Sequence, residues 1–247
     1  MLEGSKITEA QVFVAEAAFL SAQVFSDLPE TDCRQLLGLF SQRPFAAGEA
    51  LFLEGDPAST YYLLGAGRVK ALETSAEGFE VILHVSSPGD LVGALATLGR
   101  GVYPASAVAL SDGLAFAIRA QAFDELLRAH PPVAMRMLHI LSEMLQGAHH
   151  RLRELATERV EQRIARTLSR LAATVGREVG RTIVLDVPLS RKELGELTGT
   201  TPFTVSRTLK EWERRGLVQA RRRRVVLLDP QGLAAIGEDL RLGAPPP

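Results

Sequence analysis

The residues best equipped for chemistry lie near the C-terminus. Ser190-Arg191-Lys192-Glu193 has the form of a capping box, in which the serine hydroxyl accepts from the backbone of Glu193 and the carboxylate reaches back to the serine amide. A helix starting there runs through Leu194 and Leu197 to Gly199, which is free to take positive φ and to end it in a tight turn. Thr201 then offers an N-cap with Pro202 at the first helical position, so a second helix follows and runs to Arg215-Gly216. Two short helices joined so closely make a helix-turn-helix. Leu194, Leu197, Val205, Leu209 and Trp212 are spaced to bury the inner faces, which leaves Phe203, Thr204, Ser206, Arg207 and Lys210 for the outer one. Beyond Gly216, residues 217–220 and 225–228 read as a hairpin, a wing whose tip carries Arg221, Arg222, Arg223 and Arg224. Four guanidiniums at one tip repel each other, whereas beside a phosphate backbone each finds a partner and releases a counterion. The expected ligand is therefore double-stranded DNA, touched by Ser190, Arg191, Thr201, Phe203, Thr204, Ser206, Arg207, Lys210 and the four wing arginines. An RNA or a protein partner is the alternative for such a winged helix.

The elements upstream must position this unit. Residues 122–129 read as a short helix that stops at His130-Pro131-Pro132, because the residue before a proline is pushed out of helical geometry. On the long helix that follows, Leu138, Leu141, Leu145, Ala148, Leu152 and Leu155 recur at alternating spacings of three and four. So narrow a seam calls for a partner helix, and a parallel homodimer is expected in preference to packing on the same chain. The phase changes at 156–159, and a new register of Val160, Ile164, Leu168 and Leu171 begins beyond this hinge. That helix ends at 176–180, and 183–187 suits a strand. Earlier, 8–20 and 27–39 read as helices, and 45–118 as short strands (50–53, 61–64, 68–72, 80–85, 91–92, 105–110 and 114–118) punctuated by glycine turns. Strands so short and so evenly spaced predict a small β-roll. The fold class is α+β, divided into a roll with N-terminal helices (1–130), a dimerisation helix and hinge (131–158) and a winged helix (159–247).

Charge follows the same division. Residues 1–150 hold 9 Lys/Arg against 17 Asp/Glu, while 151–247 hold 19 against 12, which leaves the second part with the surplus a polyanion wants. No window of the 247 residues approaches the apolar run a membrane span needs. Cys33 stands alone, so an internal disulfide, a thiolate zinc site and an iron–sulfur cluster are excluded. The first ten residues lack a signal-peptide pattern, and a cytoplasmic location is expected. An enzyme built on a metal-holding β-barrel would need several converging histidines, and the roll offers His84 alone, so no catalytic site and no metal site is expected.

The run from 189 to 218, LSRKELGELTGTTPFTVSRTLKEWERRGLV, resembles the helix-turn-helix of the Crp/Fnr superfamily of bacterial transcription regulators, relatives of the cyclic-AMP receptor protein and the fumarate–nitrate regulator. The roll is similar too, through Phe45, Gly48-Glu49, Glu54-Gly55-Asp56, Gly67-Arg68-Val69 and Pro88-Gly89-Asp90. The resemblance implies a cyclic-nucleotide-binding-like roll, a dimerisation helix and a winged helix that reads a palindromic operator, with RNA polymerase a possible further partner. It also implies an effector pocket at Gly93-Ala94-Leu95 and Pro104-Ala105. There the cyclic-nucleotide branch has Gly-Glu-Leu and Arg-Ser, whose carboxylate and guanidinium hold the ribose and the cyclic phosphate. Alanine accepts nothing and proline donates nothing, so cyclic AMP is not expected, and the effector is either another small molecule or dispensable. Haem or gas sensing through His84, His130, His139, His149 or His150 stays open, although no spacing selects a haem site. Arg207 matches the family arginine that takes guanine O6 and N7, and Thr204 and Ser206 suit a thymine methyl or a phosphate. Pro202-Phe203 replaces Arg-Glu, so the half-site is expected to change at that base.

Overall fold

The computed structural model describes residues 8–76, 78, 80–93, 101–221 and 223–238. The chain divides into two compact units, Met1–Phe79 with Leu83–Gln146 and Glu80–Ile82 with Gly147–Pro247.

The first unit opens with α1 (Glu9–Leu20), capped by Thr8, and α2 (Glu30–Leu37). The roll strands are β1 (Ser41–Phe45), β2 (Ala50–Phe52), β3 (Thr60–Ala66), β4 (Val69–Thr74), β5 (Glu80–Ser86), β6 (Leu91–Val92), β7 (Ser106–Ala109) and β8 (Gly113–Arg119). They form two four-stranded sheets, in the orders β1-β8-β3-β6 and β2-β7-β4-β5. Two further helices follow, α3 (Ala120–Ala129) and α4 (Pro131–Thr157). The sequence reading began the roll at Phe45 and missed β1. That strand is polar, contains Pro44 and occupies a sheet edge, where a proline costs no ladder bond.

Alternation on β3 and β8 builds two cores at once. Tyr61, Leu63, Leu114, Phe116 and Ile118 face α1, α2 and the start of α4, joining Phe19, Phe25, Phe123, Val133 and Met137. Tyr62, Leu64 and Ala115 face the roll interior with Phe45, Leu51, Val69, Ala107 and Ala109. A strand buried on both faces reads as a continuous apolar run, as Tyr61-Tyr62-Leu63-Leu64 does. The close approach of α1 to β3 depends on Gly65, since a Cβ there would lie 2.6 Å from the Ala15 Cβ and 2.7 Å from Phe116 Cε2. Gly65→Ala is expected to destabilise the protein by about 1–3 kcal/mol through overpacking, measured as a lower urea midpoint at unchanged slope.

The second unit contains α5 (Val160–Val175), β9 (Gly176–Val179), β10 (Thr182–Leu185), α6 (Arg191–Thr198), α7 (Pro202–Arg214), β11 (Val218–Arg221), β12 (Arg224–Leu227) and α8 (Pro230–Gly237). Its strands form one antiparallel sheet in the order β11-β12-β10-β9. Ile164, Leu168 and Leu171 of α5 are buried in the expected register, Val160 is only half-buried, and Val175 extends the buried row. Residues 176–180, read from sequence as a helix end, also make the edge strand β9, which pairs with β10 from Gly176↔Leu185 to Val179↔Thr182. Helix α8 went unread although its signal is present: Asp229 accepts from the Gly232 amide at 2.9 Å and Pro230 holds the first helical position.

Candidate nucleic-acid interface

Local chemistry sets the two helices of the motif. The Ser190 hydroxyl accepts from the Glu193 amide at 3.1 Å, and the Glu193 carboxylate accepts from the Ser190 amide at 2.7 Å, closing the capping box at the start of α6. Gly199 ends α6 at φ 61° and ψ 43°, a left-handed conformation that only glycine takes without strain. Thr201 then caps α7, its hydroxyl accepting from the Thr204 amide at 3.2 Å and lying 3.0 Å from the Thr204 hydroxyl. Both cap hydroxyls are thereby engaged by the fold.

The face of α7 is divided as its period demands. Val205, Leu209 and Trp212 are buried, with Leu194 of α6. Leu197, expected among them, is only half-buried, and Thr198 fills the inner position, its hydroxyl donating to the Leu194 carbonyl. On the outer side Arg207 and Lys210 are exposed, Thr204 and Ser206 half-buried, and Phe203 stands 76% exposed at the first turn. A phenylalanine so placed has no packing role in the chain itself.

The wing corrects the sequence reading in one respect. Arg221 and Arg224 are not at the tip but form the last pair of the β11–β12 ladder. Arg222 lies outside the described residues. Arg223 has φ 56°, the one non-glycine positive φ among the described residues, and its guanidinium donates to the Pro188 carbonyl at 3.3 Å. Arg191 is half-buried rather than projecting, and burial pushes its guanidinium pKa down, partly offset by Glu213.

Two braces escaped the sequence reading. Arg163 of α5 donates to the Thr198 carbonyl at 3.0 Å and the Gly199 carbonyl at 3.3 Å, clamping the turn between the helices. Glu213 of α7 accepts from the Ala220 amide at 2.7 Å and ties the reading helix to the wing. Such bonds span 35 and 7 residues of sequence and leave no periodic signal.

Residues 42–130 match the cyclic nucleotide-binding domain and residues 162–236 the Crp-like helix-turn-helix domain. The chain is 30% identical over 196 residues to the cyclic AMP receptor protein of Thermus thermophilus, covering 79% of this chain and 88% of that one. It belongs to the Crp/Fnr family. The transcriptional activator protein FnrA of Stutzerimonas stutzeri is 29% identical over 194 residues, 78% of this chain and 79% of that one. A crystal structure of a CRP-family transcriptional regulator, also from Thermus thermophilus, matches with a TM-score of 0.68 at 28% identity, over 79% of this chain and 96% of that one. The protein is thus a Crp/Fnr-type transcriptional regulator with a helix-turn-helix DNA-binding domain, from a family of regulators rather than enzymes. Among its described residues no helix is long and apolar enough to cross a membrane.

Within the roll of this Crp/Fnr regulator, a cavity of about 70 Å³ lies among Phe52, Leu91, Gly93, Pro104, Ala105 and the α4 residues Met137, Ile140, Leu141 and Met144. His84 is the one titratable side chain among the described residues of this lining. Phe52 stacks on Tyr103 at 3.7 Å between centroids, and both rings crowd Gly93, which has φ 89°. Ala94 and Leu95 lie outside the described residues. His130, His139, His149 and His150 do not line the cavity. Cys33 is buried, and burial pushes its thiol pKa up, so it serves packing.

On α4 the expected seam separates into two parts. Leu141 is half-buried and lines the roll cavity, so the first half of the helix carries a broader apolar face than two residues in seven. Leu138, Leu145, Ala148, Leu152 and Leu155 are exposed, although the Leu155 Cδ2 lies close to Gly199. Helix α4 ends at Thr157 and α5 begins at Val160, within the expected hinge, where the Arg159 amide donates to the Gln162 side chain at 2.8 Å.

Proposed function

We propose that this Crp/Fnr regulator acts as a parallel homodimer that reads a two-fold symmetric site in duplex DNA. The observation that carries the reading is the outward row of α7, where Phe203, Arg207 and Lys210 are exposed while Val205, Leu209 and Trp212 lock the opposite face. In this reading Arg207 takes a guanine through O6 and N7, Phe203 packs on a thymine methyl, and Thr204, Ser206 and Lys210 contact phosphate or base edges. Ser190, Arg191 and Thr201 flank the groove at the helix starts, and Arg221, Arg223 and Arg224, with Arg222, engage the phosphate backbone. Leu138, Leu145, Ala148, Leu152 and Leu155 pair with the same residues of a second copy, and their exposure in the single chain supports this. Residues 1–130 then serve as the sensor, 131–158 as the pairing helix and hinge, and 159–247 as the reader.

The roll takes an effector other than cyclic AMP or works without one. The described lining of the roll cavity offers neither a carboxylate for a ribose nor a guanidinium for a phosphate. Calorimetric titration with cyclic AMP is expected to give no saturable heat; micromolar binding at one site per chain would overturn this part of the proposal.

The whole reading is tested by selecting random duplex DNA with the purified, effector-free protein and titrating salt against the selected site. A two-fold symmetric sequence with half-sites about 34 Å apart and a steep salt slope is expected. Preference for RNA over duplex, or weak binding without sequence choice, would overturn it.

A further inference from the structure

We infer that a cleft in the DNA-binding unit, where the last turns of α4 meet α5 and α8, is a binding site for a small phosphate-bearing ligand. The cleft has a volume of about 320 Å³ and is walled by His150, Arg151, Glu154, Arg166, Ser169 and Arg170, with α8 closing one side. That volume falls at the lower end of the ~300–1,000 Å³ range of small-molecule sites. No residue of α6, α7 or the wing lines it, so it is separate from the DNA-reading face.

The charges in the cleft are unevenly matched. Arg170 Nη1 donates to Glu154 Oε1 at 2.6 Å and Arg166 Nε to Glu158 at 3.1 Å. Glu154 is buried, so the first pair fixes the end of α4 to α5. Arg151 is different: it is half-buried, and among the described residues it forms neither a hydrogen bond nor an ion pair. Burial and the neighbouring Arg170 charge both push its guanidinium pKa down, and Glu154 offsets this only in part. The other carboxylate of the lining, Glu238, is exposed and pairs with none of the three arginines among the described residues. A guanidinium withdrawn from water beside a second cation is costly until an anion joins it.

Phosphate is the anion that fits this donor set. Each guanidinium carries five N–H donors, and Arg166 and Arg170 spend only part of theirs on Glu158, Glu154 and Thr167. A tetrahedral group with three or four oxygens accepts forks from several directions, whereas a carboxylate offers two oxygens in one plane. Gly147, His150 and Glu154 lie on the side of α4 away from the leucine seam and Arg151 flanks it, so pairing of two copies along that seam leaves the wall formed by the first three open. A ligand held here ties the last turns of α4 to α5 across the hinge.

The test is calorimetric titration of the full-length protein with inorganic pyrophosphate at constant ionic strength. Saturable binding at one site per chain is expected, at least tenfold weaker in Arg151→Gln and lost in Ser169→Asp, which sets a carboxylate among the arginines. Arg128→Gln, on an exposed position of α3, is expected to bind as wild type. Absence of saturable binding in the wild type, or equal affinity in Arg151→Gln, overturns the proposal. Duplex DNA is titrated in parallel: unchanged DNA affinity in Arg151→Gln identifies a free phosphate ligand, whereas lost DNA affinity without pyrophosphate binding makes Arg151 a DNA contact and overturns the site. The outcome is independent of which sequence the reading helix selects.

Discussion

Replacing Arg207 with alanine is expected to cost about 1–3 kcal/mol on the selected operator, roughly a 5- to 150-fold loss, while leaving affinity for random duplex nearly unchanged. The reason is the separation of roles on the second unit. Arg207 is exposed on the outer face of α7, one turn beyond Phe203, and the buried residues behind it fix the helix that would present its fork to a base edge. A bidentate contact of that kind discriminates between bases, and its loss is felt only where the right base is present. Arg221→Ala provides the contrast, because a ladder residue of the wing beside the phosphates should weaken all DNA alike and reduce the salt slope by about 0.9. Competition titrations of operator and random duplex at several salt concentrations separate the two patterns. Equal losses on both DNAs for Arg207→Ala would remove it from the base-reading role.

The double substitution Leu145→Glu with Leu152→Glu is expected to turn the dimer into a monomer at micromolar concentration and to lower operator affinity by at least 100-fold. The two leucines are 58% and 67% exposed in the single chain, so neither contributes to the core of its own unit and both should leave its fold intact. In a parallel pair they would be desolvated. Each is then worth about 1.5–3 kcal/mol of burial, and four such side chains per dimer are replaced by charges that repel across the seam. Sedimentation equilibrium and thermal unfolding check both halves of the expectation: mass should halve while the unfolding temperature extrapolated to low concentration stays put. A wild-type protein that is monomeric, or a variant that remains dimeric, would refute the pairing. Loss of operator binding follows from geometry, since one reading helix engages one half-site and forfeits the joint contact of two.

The parts of this molecule legible in its sequence are those governed by short-range rules. The capping box at Ser190, the left-handed Gly199 and the Thr201-Pro202 start each rest on residues within one or two turns of one another, and all three stand where the sequence put them. The burial of Ile164, Leu168 and Leu171 on α5 follows from periodicity, whereas β3, an apolar run buried on both faces, gave no sign of which core each residue joins. Where a local signal was weak or contradictory, reading failed: β1 hides behind Pro44 and polar neighbours, and β9 behind the glycines of 176–180. At the wing, four consecutive arginines gave no clue to register, which the ladder decides by pairing Arg221 with Arg224.

By itself, then, the sequence determined the two helices of the helix-turn-helix, the outward face of α7 and the row of exposed leucines on α4, because helix period, caps and charge act over a few residues. Tertiary structure alone decided that Arg163 clamps the turn, that Leu141 lines the roll cavity while Leu145 is left exposed, and that Arg151 meets Arg170 in a cleft with too few carboxylates. Those outcomes depend on which distant segments come within a few ångströms of each other, and neither composition nor spacing encodes a distance between residues far apart in the chain.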